Sequence, residues 1–382
     1  MSFRWAARAV KAARCANWLV VALTLVLAAL SVSCGHSSSS TSPGGSHNAY
    51  VSLPTKGAVM LLHVKNSTGV VSKGPETPFV LGTTPTGVAL DPGKKFLYVG
   101  NSQANTVSIF NVASDGSLTQ TGDAIPVGSG PRALAIDASG KYLLITNTFD
   151  DTISVYSLNS GTGAITLLNN YPAAPGPTEM TISPTSNYVY IANPAASGGL
   201  ITAYSLDSAT GNLTRIPGSP FVAGQGVAGI AIDPGGRYLY SANNSDGTVS
   251  AFTINSADGS LHVITGSPYT LGTSVTPGPR GLVVDTTGSF LYVANQSSNN
   301  VSAFTITSAT GELTLITGSP YSAGTAPVFI LAEPSGSYIY VGNQGSTNIT
   351  GYTSDTTTGK LTTISGSPFS IGAAPGDMDI VH

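Results

Sequence analysis

The chain has 382 residues, with 15 Lys and Arg against 18 Asp and Glu, a formal net charge of −3. Only 9% of residues are charged and 41% are hydrophobic, so a sizeable core is available, and the clustered basic face that nucleic acid requires is excluded. Forty-five Gly and 24 Pro, with abundant Ser, Thr and Asn, leave no long run of helix formers and point to an all-β protein of many short strands.

Residues 1–33 come first and stand apart. Arg4, Arg8, Lys11 and Arg14 precede the uncharged apolar stretch "WLVVALTLVLAAL", and "SVSCG" follows it. The arrangement resembles a bacterial lipoprotein signal, cut before Cys34, whose thiol takes the lipid. An ordinary secretory signal or an uncleaved anchor is the alternative reading. Residues 34–48, "CGHSSSSTSPGGSHN", read as a Ser/Gly/Pro-rich tether with nothing to pack. Without the signal the chain keeps 11 basic and 18 acidic residues, a net of −7, and the remaining Cys has no partner for an internal disulfide. The expected setting is the bacterial cell envelope, as a lipid-anchored or secreted monomer that meets the membrane through its anchor only.

From residue 49 to 382 one sentence is written repeatedly. "PTGVALDPGKKFLYVGN" begins at Pro85, "PRALAIDASGKYLLITN" at Pro131 and "PTEMTISPTSNYVYIAN" at Pro177. "VAGIAIDPGGRYLYSAN" begins at Val227, "PRGLVVDTTGSFLYVAN" at Pro279 and "PVFILAEPSGSYIYVGN" at Pro327, and the stub "PGDMDIVH" starts at Pro375. Successive starts lie 46, 46, 50, 52, 48 and 48 residues apart. Within each unit two apolar runs flank an Asp/Gly turn, and a polar loop and a third run such as "TVSIFNV" follow. A Gly-bearing hairpin at Gly116, Gly163, Gly211, Gly259, Gly311 or Gly359 then opens a fourth strand. Four antiparallel strands at this period predict a β-propeller. Six full units, plus a seventh blade built from the stub and residues 49–84, close the ring and leave no open sheet edge at the join.

Strand alternation places the segment before each first strand and the loop between second and third strands on one face, around the central channel. The recurrent Asn101, Asn147, Asn193, Asn243, Asn295 and Asn343 sit at the start of those loops, and their presence in every unit predicts a structural role in closing the turn. "GSPF/Y" at Gly218, Gly266, Gly318 and Gly366 reads as the passage between blades. Departures from the repeat are more telling. After the leading residue the units carry Arg132, Glu179, Arg280 and Asp377, which gather charge at the channel mouth of a chain poor in charge, with Asp379 deeper and Asp150, Asp151 and Asp246 in neighbouring loops. Two inward arginines suit a carboxylate or phosphate; the alternative is that they pair with Glu179 and Asp377 and seal the opening. No G-x-S-x-G elbow, zinc-type Cys/His cluster, acidic Ca²⁺ loop or phosphate-cradling glycine motif is present, so no metal or cofactor is expected. His36 and His47 fall in the tether, His63 and His262 near outer strands and His382 at the end, which leaves no histidine base at the mouth.

Written as P-x-x-[AV]-[VIL]-[DS]-P-x-G-x-[YF]-[LV]-Y-[VI]-[AG]-N, then V-S-x-[FY], then [DT]-G-x-L, residues 49–382 resemble the lactonase-type seven-bladed propellers. That group includes 6-phosphogluconolactonase, carboxymuconate-cyclising enzymes and the YVTN-repeat proteins. The resemblance implies His, Glu and Arg at the channel mouth. Here Pro131-Arg132 and Pro279-Arg280 stand where Pro-His is usual, and only Arg132, Arg280 and Glu179 match catalytic types. Two functions therefore compete. In the first, an exported propeller binds a protein, glycan or small anion at its mouth through Arg132, Arg280 and Asp377. In the second, a lactone hydrolase holds an anionic sugar lactone with the arginines and uses Glu179 as its base.

Overall fold

The computed structural model describes residues 45–77, 84–272 and 278–381. The predicted signal, Cys15, Cys34, His36, most of the tether and His382 lie outside them. From Ser46 on, the described chain forms seven antiparallel sheets, the blades of a propeller. Blade 1 sets the pattern: inner strand Pro85–Leu90, second Phe96–Asn101, third Thr106–Val112 and outer Leu118–Gln120. Blades 2 to 6 repeat it, with inner strands Pro131–Ile136, Met180–Ile182, Val227–Ile232, Pro279–Val284 and Pro327–Ala332.

Each second strand is covered on both faces by neighbouring blades. It therefore reads as an unbroken apolar run rather than an alternation; all six residues of Phe96–Asn101, Tyr142–Asn147 and Phe290–Asn295 are buried. The Tyr within this run also joins blades. Tyr50, Tyr98, Tyr190, Tyr240, Tyr292 and Tyr340 each donate a hydrogen bond to the carbonyl of a hairpin Gly one blade further round, at 2.7–3.1 Å. Blade 2 has Leu144 in that place and lacks the bond.

The seventh blade is built from both ends of the chain. Met378–Ile380 is its inner strand and pairs with Ser46–Leu53, followed by Ala58–Lys65 and Val71–Thr77. Its second strand starts at Ser46, three residues before the boundary read from composition. Ser46, His47 and Asn48 pair with Lys65, Val64 and His63. Polar partners recruit them: His63 Nδ1 lies 2.9 Å from Asn48 Oδ1, and His47 Nδ1 lies 2.9 Å from Glu333 Oε1 of blade 6. His47 thus belongs to the propeller, at the end of its strand remote from the mouth.

"GSPF/Y" also has a different place from the one its sequence suggested. It breaks the outer edge of blades 3 to 6 into two short pieces that both pair with the third strand, as Leu213–Arg215 and Phe221–Val222 do. The Ser hydroxyl accepts the third-strand N–H left over at the break, Ala203 N to Ser219 Oγ at 2.8 Å for example.

Candidate functional site

The site begins with an irregularity of the inner strands. In blade 5, Pro279 faces Asn295 and Gly281 faces Ala294, so Arg280 is an extra residue. Blades 1, 2, 4 and 6 shift register at the same place. In blade 3, Ala192 splits its two backbone bonds between Thr178 and Glu179, and in blade 7 Ser52 does so between Gly376 and Asp377. Successive side chains of a regular strand point to opposite faces; a bulge lets two neighbours turn the same way. Both residues after the leading position can therefore face the channel.

The structure brings together the four charges expected there. Arg132, Glu179, Arg280 and Asp377 line two adjoining cavities of about 220 and 130 Å³. The first opens toward Pro54, Thr84 and Gln344, and the second reaches inward to Ile230, Leu282 and Ile330. Arg132 and Arg280 also floor a wider basin of about 510 Å³ on the loop side.

These charges do not seal the mouth by pairing. Among the described residues neither guanidinium has a carboxylate within 4.0 Å, and Arg132 Nε is buried without a hydrogen-bond partner. Asp377 is held elsewhere, Oδ2 accepting from Val88 N at 3.2 Å and Oδ1 from Met378 N at 2.9 Å.

The electrostatics follow from confinement. Burial raises the Glu179 pKa above the ordinary carboxylate value, while Arg132 and then Arg280 pull it down. Glu179 lines the channel but is solvent-exposed, so the burial effect is felt only in part. Burial, with the Glu179 charge second, lifts Asp377 to about 7. Arg280 is lowered by burial and by Arg132, and Glu179 works in the opposite direction.

The other candidates are structural. The repeat Asn side chains are fully buried; the Nδ2 of Asn101, for one, donates to Thr106 Oγ1 and Ser108 Oγ at 3.0 and 2.9 Å. Asp150, Asp151 and Asp246 accept from the backbone N–H of Ser129, Gly176 and Gln225 at 2.6–2.7 Å and so fasten the loops to the leading segments. Asp379 accepts from Leu90 N at 2.9 Å. No histidine lines the three cavities. Among the described residues no group of three or more His, Cys, Asp or Glu is placed to hold a metal ion.

Two features escaped the sequence reading. Ser52 and Thr146 sit opposite the bulges of blades 7 and 2, where other blades have Gly or Ala. Their hydroxyls accept from Asp377 N and Ala133 N at 2.9 Å and donate to Thr86 O and Thr178 O, at 2.6 and 3.2 Å. They pin the backbone that carries Asp377 and leads into Glu179. The second feature is an amide rim, Asn244, Gln296 and Gln344, each directly after a repeat Asn. The hydroxyls in an otherwise Gly/Ala column were the available signal for the first.

A family model described as "Lactonase, 7-bladed beta-propeller" matches residues 49–181 and 183–331. Among solved structures, a Bacteroides fragilis protein provisionally named a 6-phosphogluconolactonase is 19% identical, with a TM-score of 0.78, 90% of this chain and 99% of that one covered. Its counterpart from Bacteroides uniformis is 18% identical, with a TM-score of 0.77 and coverage of 88% and 99%. The periplasmic gluconolactonase of Pseudomonas aeruginosa is 18% identical, with a TM-score of 0.74 and coverage of 88% and 99%. At these identities the structures speak for the fold. No curated protein sequence matches the chain.

Proposed function

Because the chain belongs to the lactonase seven-bladed β-propeller family, we propose that its channel mouth opens a lactone by hydrolysis, holding an anionic group of the substrate between Arg132 and Arg280. The observation that carries this reading is that, among the described residues, neither guanidinium has a carboxylate within 4.0 Å, and the Nε of Arg132 is buried without a hydrogen-bond partner. A buried donor without a partner costs stability, and an anionic ligand relieves that cost.

Glu179 is the base. Its pKa is raised above that of an ordinary carboxylate, chiefly by burial, which makes it the stronger base. It takes a proton from water as the oxygen adds to the acyl carbon, which gives a tetrahedral oxyanion. The ring C–O bond then breaks, and the departing alkoxide takes the proton back from Glu179. The product is a hydroxy acid. Its carboxylate is a second anion for the same arginines.

The test is hydrolysis of gluconolactone and 6-phosphogluconolactone by the purified protein. Glu179→Gln should lower kcat about 100-fold with little change in KM, and Arg132→Met should mainly raise KM. Anion binding without turnover would make the mouth a binding module instead, and full activity in Glu179→Gln would remove the base. We further propose that the protein works in the cell envelope through a lipid on Cys34. Fatty-acid labelling that survives Cys34→Ala would overturn that assignment.

A further inference from the structure

One hydroxyl joins two residues that the proposed hydrolysis uses together. Thr146 Oγ1 accepts from Ala133 N at 2.9 Å and donates to Thr178 O at 3.2 Å; its other acceptor, Ala133 O, is more distant at 3.5 Å. Ala133 N belongs to the peptide unit that leaves Arg132, and Thr178 O to the one that enters Glu179. A single side chain of blade 2 therefore ties the backbone of the cation to the backbone of the base in the next blade.

The tie is part of an arc. Ser52 Oγ accepts from Asp377 N at 2.9 Å and donates to Thr86 O at 2.6 Å. Thr86 Oγ1 donates in turn to Pro131 O at 2.9 Å, in the peptide unit that enters Arg132. Arg132 is thus gripped on both sides, by Thr86 and by Thr146, between Asp377 in blade 7 and Glu179 in blade 3. Arg280 stands outside the arc; Asn244 Nδ2 donates to Pro279 O at 3.1 Å and holds its entering peptide separately.

The strand itself does not require the hydroxyl. The residue before the repeat Asn is Gly100, Ala192, Ala242, Ala294 or Gly342 in the other blades that carry that Asn. Their second strands pair with the inner strands without one. Thr146 is nevertheless fully buried, a placement that favours a polar group only when it is bonded.

What the hydroxyl controls is a gap. Arg132 and Glu179 line the same two cavities, where Arg280 and Asp377 are the other charged side chains. Opposite charges in a confined site attract, yet among the described residues no carboxylate lies within 4.0 Å of the Arg132 guanidinium. Arg132 Nε is buried, so the side chain has little room to swing, and the separation is set where the two backbones start.

We propose that Thr146 is a positioning residue: by binding both peptide units it holds the Arg132 guanidinium out of an ion pair with Glu179. The guanidinium stays open to an anion and the carboxylate to water. The roles of Arg132 and Glu179 rest on the function proposed above; the tie between their backbones does not.

Three variants test it in the full-length protein. Thr146→Ala introduces the residue that blades 3, 4 and 5 already use at this place, and Thr146→Ser keeps the hydroxyl. Thr202→Ala removes an equally buried hydroxyl of blade 3 that is bonded to Ala174 N and Asn193 Oδ1 instead. In Thr146→Ala the two charges should close into a pair. Carboxyl-carbon NMR should then find the Glu179 midpoint lower than in the wild type, because a paired guanidinium favours the ionised form. Calorimetric titration with inorganic phosphate should show binding weakened about tenfold, and kcat on a lactone should fall about tenfold. Thr146→Ser and Thr202→Ala should match the wild type. A Glu179 midpoint that stays or rises in Thr146→Ala, that also falls in Thr202→Ala, or that Thr146→Ser does not restore would overturn the positioning role. A wild type that neither binds phosphate nor turns over a lactone, while the midpoint still falls in Thr146→Ala alone, would overturn the proposed hydrolysis and keep the tie.

Discussion

The carboxylate of Asp377 accepts a hydrogen bond from the backbone N–H of Val88 at 3.2 Å, across 289 residues of sequence. Two residues on, Asp379 does the same with Leu90 N at 2.9 Å. The last strand of the chain thus joins the first complete blade by side chains at alternate positions, in addition to its backbone pairing with Ala49, Tyr50 and Val51. A charge-assisted bond of this kind contributes about 1.5–3 kcal/mol. Asp379→Ala is expected to lower unfolding stability by that amount, with Asp379→Asn in between because it retains one acceptor. Urea unfolding of the two variants measures it, and wild-type stability in Asp379→Ala would mean the latch is idle.

Asp377 is also a site residue, and its pH dependence follows from that double role. Burial and the Glu179 charge lift its pKa from 3.8 to about 7. Between those values the folded protein binds a proton that the unfolded chain has lost. The contribution of this group to stability is therefore greatest below about pH 4, falls as pH rises to about 7, and is flat beyond. Glu179→Gln removes the second cause and leaves the first. The Asp377 midpoint should move down while staying above 3.8, as read by carboxyl-carbon NMR. An unmoved midpoint would show that the two carboxylates do not sense each other.

Period, blade count and ring closure were legible because each depends on local chemistry repeated many times: an Asp or Gly at a turn, an apolar run for a strand buried on both sides. The meeting of Arg132, Glu179, Arg280 and Asp377 was legible for the same reason, since charge interrupts a repeat that otherwise has none there. Their relationship was not. Whether Asp377 pairs with an arginine or with Val88 N depends on bulge geometry and on a neighbouring blade, and neither leaves a pattern in the residues of one unit. The start of the second strand of blade 7 was hidden similarly, because Ser46, His47 and Asn48 are held by partners at Lys65, His63 and Glu333 rather than by hydrophobic burial.

The tyrosine bonds between blades give a test of how the ring is held. Tyr98 is buried and donates to Gly163 O at 2.9 Å. Gly163 has φ near 71°, and a Cβ there would strike the Phe96 ring. Tyr98→Phe should cost about 1–2 kcal/mol, the net bond plus part of the penalty for a carbonyl left without its donor. Gly163→Ala should cost more, since it adds backbone strain and a clash. If thermal unfolding ranks the two variants the other way, the carbonyl's bond matters more than the shape of the turn.

Arg132 offers the clearest separation of function from stability. Its Nε is buried and unpaired, and its charge depresses the pKa of Arg280 second only to burial. Leaving a buried donor unsatisfied costs about 1–3 kcal/mol, and an apolar side chain of similar length avoids that cost. Arg132→Met should therefore raise unfolding stability by about 1–2 kcal/mol. The same change should abolish any thermal stabilisation by gluconate or phosphate. Both effects come from one physical cause, a cation kept without its anion, so they must appear together. Loss of stability in Arg132→Met would mean the guanidinium is anchored by contacts that serve the fold, and the case for an anion between Arg132 and Arg280 would go with it.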